Sequence, residues 1–112
     1  MKDSERENVM DMYKHYDFSC FLCKAQATQR AHIIGNTLLN RKLYGRRIID
    51  NPLNWLPACS LKHNKKIDIG RNSIIAKKIV SVIDSMDDYS DKQEQIEQIV
   101  MESIKAREAI NG

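Results

Sequence analysis

The sequence predicts an α+β fold: a strand, a loop, a second strand and a short helix stapled by a metal-binding knuckle, with one helix before this unit and two after it. Three observations predict it. Two cysteines stand two residues apart in CFLC, Cys20 to Cys23, the spacing of a zinc knuckle. Two short apolar runs, RAHII and LNWLPA, are separated by the breakers Gly35 and Asn36 and by the turn signal Asp50, Asn51, Pro52, which is how strands are punctuated. Beyond Gly70 the composition shifts to longer segments with apolar residues at helical spacing. At 112 residues the chain is expected to be one domain, long enough for a modest core that a metal staple would reinforce. The strand and knuckle unit spans about 20–68 and the helical extension about 71–110.

Residues 3–16 place Val9, Met10, Met12 and Tyr13 near helical spacing among charges, an amphipathic helix ending before Asp17. Residues 17–34 form a tight knuckle and then a strand through RAHII. Residues 36–52 make a basic loop with a short helical turn at TLLNRKLYG. LNWLPA is the second strand and SLKHNKK opens the helix after it. The last two helices run through NSIIAKKIVSVIDSMDD and DKQEQIEQIVMESIKAREAING, the second with apolar Ile96, Ile99, Val100, Ile104 and Ile110 and an N-cap at Ser90 or Asp91. They are expected to cover the core or to form a homodimer face.

Net charge is only +3, but it is unevenly spread. Between Lys24 and Arg71 ten cations face two acids, Asp50 and Asp68, a local net of +8 that leaves −5 for the remainder. A basic middle between acidic ends predicts one electropositive face, as a nucleic-acid binder has; a solvated loop is the plainer explanation of a charge run alone. No apolar run approaches the length of a membrane span, and the start MKDSERENVM lacks the apolar stretch of a signal peptide. The expectation is a cytoplasmic protein with no membrane partner. Its three cysteines would then be reduced, which favours metal binding over disulfides.

Cys59 adds a third sulfur at the end of the second strand, and His63 stands four residues later, one helical turn on. Cys20, Cys23, Cys59 and His63 would make a Cys₃His structural zinc site. A redox pair is the alternative for CFLC, but no βαβ pattern surrounds it. Cys59 as a buried small hydrophobe is the alternative for the third ligand.

Taken together, CFLC, AHII and NWLPACSLKHNKK resemble the HNH endonucleases, the ββα-metal nucleases, in their zinc-supported variety. The resemblance covers about residues 20–68 and implies a metal-dependent endonuclease that hydrolyses DNA phosphodiester bonds, nicking one strand as a monomer, of the kind carried by phages, mobile elements or defence loci. It makes His32 the general base, a task that suits an imidazole titrating near neutrality. It makes Asn54 the residue that holds the loop and orients the base, and His63 a ligand of a catalytic Mg²⁺ or Mn²⁺, with Asn64 as its neighbour or replacement. Arg30, Arg41, Lys42, Arg46, Arg47, Lys65 and Lys66 would neutralise DNA phosphates, giving affinity without sequence choice. Trp55 and Tyr44 are candidates for base stacking, although a tryptophan within a strand is more often core.

The chain departs from that pattern twice. Ala31 stands where the family has a metal-ligating residue immediately before the base, and Lys62 stands where many zinc-supported members have a fourth cysteine. His63 is therefore claimed by two metals. If it joins zinc, Asn64 is left for the catalytic ion; if it joins the catalytic ion, the zinc site is incomplete. The alternative function is a zinc-stapled DNA-binding module whose catalysis is weakened. His15 has no such company and no assigned role.

Overall fold

The computed structural model describes residues 16–111. The helix expected over residues 3–16, like His15, lies outside the described residues apart from Tyr16. The described chain forms a two-stranded antiparallel sheet and five α-helices. The order is β1 (Gln29–His32), α1 (Leu38–Tyr44), α2 (Arg46–Ile49), a 3₁₀ turn (Pro52–Asn54), β2 (Trp55–Ala58), α3 (Leu61–Ile67), α4 (Ser73–Asp84) and α5 (Tyr89–Asn111).

The knuckle precedes the sheet. Lys24 N–H returns to the Cys20 carbonyl at 3.0 Å, and Lys24 takes a φ of 67° to close the turn. Gln29 then pairs with Ala58, and His32 with Trp55. Residues alternate across a strand, so Gln29 and Ala31 share one face and Arg30 and His32 the other. Ala31, Leu56 and Ala58 enter the core with Ile67 of α3. On the opposite face Arg30 lies over the Trp55 ring, 5.8 Å from its centroid. Trp55 is buried and Tyr44 half-buried against the core, so neither ring is laid open for a base to stack upon.

The connection between the strands holds more helix than its composition suggests. Thr37 caps α1 by accepting the Asn40 N–H at 3.1 Å, and Gly45, at φ 79°, ends it. Ile48 and Ile49 of α2 are buried, which draws this basic segment onto the core. Asn51 then caps the 3₁₀ turn, with Pro52 at its start, where the missing N–H costs nothing. Helix α3 begins at Ser60, whose hydroxyl accepts the His63 N–H at 3.3 Å.

Helices α4 and α5 pack on each other and close the core through Ile79, Ile83, Ile96, Val100 and Ile104. Each fully buried aliphatic side chain here contributes about 1.5–3 kcal/mol. One expectation is corrected. Helix α5 starts at Tyr89, because Lys92 N–H already bonds the Asp88 carbonyl at 2.9 Å; Ser90 and Asp91 lie inside the first turn, where Asp91 favours the positive helix end. Ile110, at the end of the stripe, is exposed.

Arg107 of α5 donates to the Asp68 carbonyl at 2.9 Å and also to the Lys66 carbonyl. It satisfies carbonyls that the end of α3 leaves without helical partners. No helix among the described residues is long and apolar enough to cross a membrane.

Candidate metal centre and the histidine strand

Two places on the hairpin gather chemistry. The first is its open end. Cys20 and Cys23 come from the knuckle, Cys59 from the residue after β2, and His63 from the first turn of α3. Their ligand atoms lie within 4.8 Å of one another. Cys23 Sγ is 3.4 Å from Cys59 Sγ; His63 Nδ1 is 3.3 Å from Cys59 Sγ and 3.5 Å from Cys20 Sγ. A tetrahedral zinc with its usual bond lengths needs edges of about 3.8 Å between sulfurs and about 3.5 Å from sulfur to nitrogen. The four residues can therefore hold a structural zinc ion.

The thiols are prepared unequally. Burial pushes the Cys20 thiol up, but N–H groups of Cys23, Leu22 and Cys59, with the His63 ring, more than offset it and bring it down to about 6. Near neutral pH it is the thiolate that zinc binds. At Cys23 the Ala25 N–H pulls the thiol down, while sharing a proton with Cys59 and lying near Cys20 drive it up on balance. Three thiols without a cation resist losing three protons together, and a bound dication reverses that. The Thr28 hydroxyl, donating to the Cys59 carbonyl at 3.0 Å, ties this end to β1.

The second place is the far end of β1. His32 is half-buried, three residues from Gln29 and so about 10 Å along the strand from the zinc end. Burial lowers its pKa, Arg30 lowers it further, and Asp50 and Asp68 pull it back in part. The imidazole is thus neutral at pH 7 and able to accept a proton. Below it, Asn54 is fully buried and makes three hydrogen bonds: its carbonyl accepts the Ile34 N–H at 2.9 Å, and its amide donates to the Ile34 and Ile49 carbonyls, both at 3.1 Å. One side chain thus ties the backbone on both sides of the connection.

Asp68 carries a role that the sequence pattern did not disclose. The Ile69 N–H bonds the Ile33 carbonyl at 3.0 Å, which brings the end of α3 alongside the end of β1. There the Asp68 carboxylate lies against Gly35, where any Cβ would come within 3.1 Å of it. The two acids in the cationic segment, Asp50 and Asp68, are the two that act on His32. Their scarcity there was the available signal.

The structure gathers the four zinc candidates and separates them from His32. Ala31 is fully buried on the face that α3 covers, His63 is drawn into the cysteine cluster, and the Asn64 amide donates to Gln29 at 3.0 Å. The ligand set that the resemblance assigns to a catalytic Mg²⁺ or Mn²⁺ is therefore not assembled around His32. The side-chain carboxylates that act on His32 are Asp50 and Asp68, whereas Asn64, one helical turn before Asp68, is held toward Gln29.

The cations are also placed individually. Arg47 is paired with Asp84 at 2.6 and 3.3 Å, Arg46 with Asp50 at 3.5 Å and Lys66 with Glu108 at 3.5 Å. Arg41 donates to the Asn36 side chain at 2.7 Å, and Lys42 and Lys65 are exposed. Arg46 and Arg47 keep about two thirds of their side-chain surface, 68% and 66%. Such exposed pairs are weak enough for a phosphate to displace the acid.

Comparison with protein-family models, with curated proteins and with solved structures finds no match to this chain.

Proposed function

We propose that this chain is a zinc-stapled ββα domain of the HNH type that hydrolyses DNA phosphodiester bonds with His32 as its general base. The observation that supports it best is the division of the hairpin: Cys₃His at one end, and at the other a neutral, half-buried imidazole above a loop fixed by Asn54. A base with a lowered pKa is free of its proton at pH 7 and can take one from an attacking water. Asp50 and Asp68 then favour the imidazolium that forms, while Arg30 opposes it. Lys42, Lys65, Arg46 and Arg47 supply positive charge for the flanking phosphates. A divalent ion, when bound, would supply polarisation of the scissile phosphate; Asp68 is the oxygen donor this chain would turn to it, with Asn64 joining only if its side chain leaves Gln29.

A second reading, a DNA-binding module without hydrolysis, is favoured by a specific observation: the buried Ala31 offers no ligand and His63 belongs to the cysteines. Nicking of supercoiled plasmid with Mg²⁺ or Mn²⁺, run beside a gel shift, separates the two. On the nuclease reading the wild type nicks, and His32→Ala binds DNA without nicking. A wild type that binds and never nicks, at any divalent ion tried, sinks the nuclease reading and leaves the binding one.

A further inference from the structure

Helix α1 packs on the core through Tyr44 and leaves its leucines largely exposed. Its Asn40 donates to the Gly35 carbonyl at 2.9 Å, and Arg41 lies along the surface, donating to the exposed Asn36. Its leucines turn outward: Leu38 is 62% exposed, Leu39 56% and Leu43 62%, and no residue of the helix is buried. At 100° per residue these three and Lys42 share one face. An apolar face on so short a helix gains nothing from solvent, and three leucines side by side mark a contact surface.

Charge decides what would cover it. From Asn36 to Asp50 the chain carries Arg41, Lys42, Arg46 and Arg47 against one acid, Asp50; Asp50 pairs with Arg46 and Asp84 with Arg47, both arginines staying about two thirds exposed. A second copy meeting this face about a two-fold axis would set cations against cations. A polyanion with an apolar interior fits instead: the phosphates of a duplex meet Lys42 and Arg46 while leucine side chains enter the stack between bases.

We infer that α1 is a leucine wedge that enters a DNA groove and kinks the duplex at the step it parts, with Lys42 and Arg46 holding the phosphates on either side. The inference rests on the proposal that the partner is DNA, and it specifies how that DNA is deformed. Apolar side chains used in this way partly unstack a base step and bend the helix axis. The wedge opens six residues after His32 in sequence, so the unstacked step and the base share one connection of the fold. The wedge should prefer flexible pyrimidine–purine steps, since these part most readily.

The test uses the zinc-loaded full chain and a short duplex carrying a fluorescent donor and acceptor at its ends, with a TA step at its centre. Wild type is expected to shorten the end-to-end distance. Leu38→Ala with Leu43→Ala is expected to bind within about tenfold of wild type, because the phosphate contacts remain, and to leave the duplex straight. Leu38→Met, which keeps an apolar tip, should still bend it. Zinc content and the far-UV spectrum verify the fold, and the single change Leu38→Ser serves if the double variant is poorly folded. A wild type that binds without bending, or a double variant that bends as well as wild type, overturns the wedge alone. A leucine-dependent change in oligomeric mass, or leucine-dependent binding to anionic lipid vesicles with bending unaltered, overturns it in favour of another occupant. A wild type that binds no duplex overturns the DNA proposal itself.

Discussion

The two ends of the β1–β2 hairpin are held by different physics. At the Gln29 end, four side chains from three elements converge on one point and can hold an ion between them. At the His32 end, the amide of Asn54 and the aliphatic residues Ile33, Ile34, Ile48 and Ile49 hold the chain without help. The first end offers side chains to a metal, and the second is closed by hydrogen bonds and packing beside a half-buried histidine. A fold that separates its staple from its histidine can vary one without losing the other.

Removing the staple should have the largest effect. Cys59→Ala leaves three ligands, and structural zinc binding free energy on the order of 10 kcal/mol doubles as folding free energy. The variant should lose bound zinc and the cooperative melt, followed by atomic absorption and circular dichroism. Unchanged melting in a strong chelator would show that the hairpin does not depend on the metal.

At the other end Asn54→Ala strands the Ile34 N–H and two carbonyls in the core, at roughly 3–5 kcal/mol for three groups. Urea unfolding of the zinc-loaded protein measures it. A loss below about 1 kcal/mol would mean that the loop is held by packing alone.

How the sequence disclosed these ends differs for the same reason. Metal ligands have few substitutes and characteristic spacings, so Cys20, Cys23, Cys59 and His63 could be gathered from the sequence by spacing alone, and the geometry brings them together. The strands were legible from RAHII and LNWLPA, and α3 from Ser60 and the residues after it. Helix α2 was not, because Arg46 and Arg47 dominate its composition and only tertiary packing makes Ile48 and Ile49 a buried pair. Asp68 was illegible for a similar reason: its place beside Gly35 is set by a backbone bond between Ile69 and Ile33, a contact that no local pattern announces. The ownership of His63 stayed open between two metals, its spacing from Cys59 leaning to the cysteines, and the fold sets its Nδ1 3.3 Å from Cys59 Sγ.

The clasp between α5 and α3 offers a smaller test of how the ends communicate. Arg107→Met keeps the buried stem but releases the Lys66 and Asp68 carbonyls, costing about 1–2 kcal/mol. The loss should appear in urea unfolding, with hydrogen exchange quickened at the end of α3 and not at the cysteines.

The His32 end also has a pH signature. Its folded pKa is lowered, so below the unfolded value of about 6.5 the unfolded chain binds the extra proton first. Its contribution to stability is full above that pH and is lost as pH falls toward the folded value. Acid also protonates the zinc ligands, so the comparison is wild type against His32→Gln. The variant should lose less stability between about pH 7 and 5.5, and equal slopes would place His32 outside the packed interior.

Smallest of all, Lys24→Gly relieves the left-handed backbone at φ 67°, a gain of about 0.5–1 kcal/mol after glycine's own entropic cost. It should raise the melting midpoint of the zinc-loaded form slightly.

The most direct measurement is made on His63, where the two ends would meet if they were one site. Zinc content and metal-dependent plasmid nicking are compared in wild type, His63→Cys and His32→Ala. With the staple and the histidine separate, His63→Cys keeps one zinc per chain and keeps nicking, while His32→Ala keeps zinc and stops. A His63→Cys variant that binds zinc fully and no longer nicks would contradict the account, because His63 would then serve the reaction and not the staple.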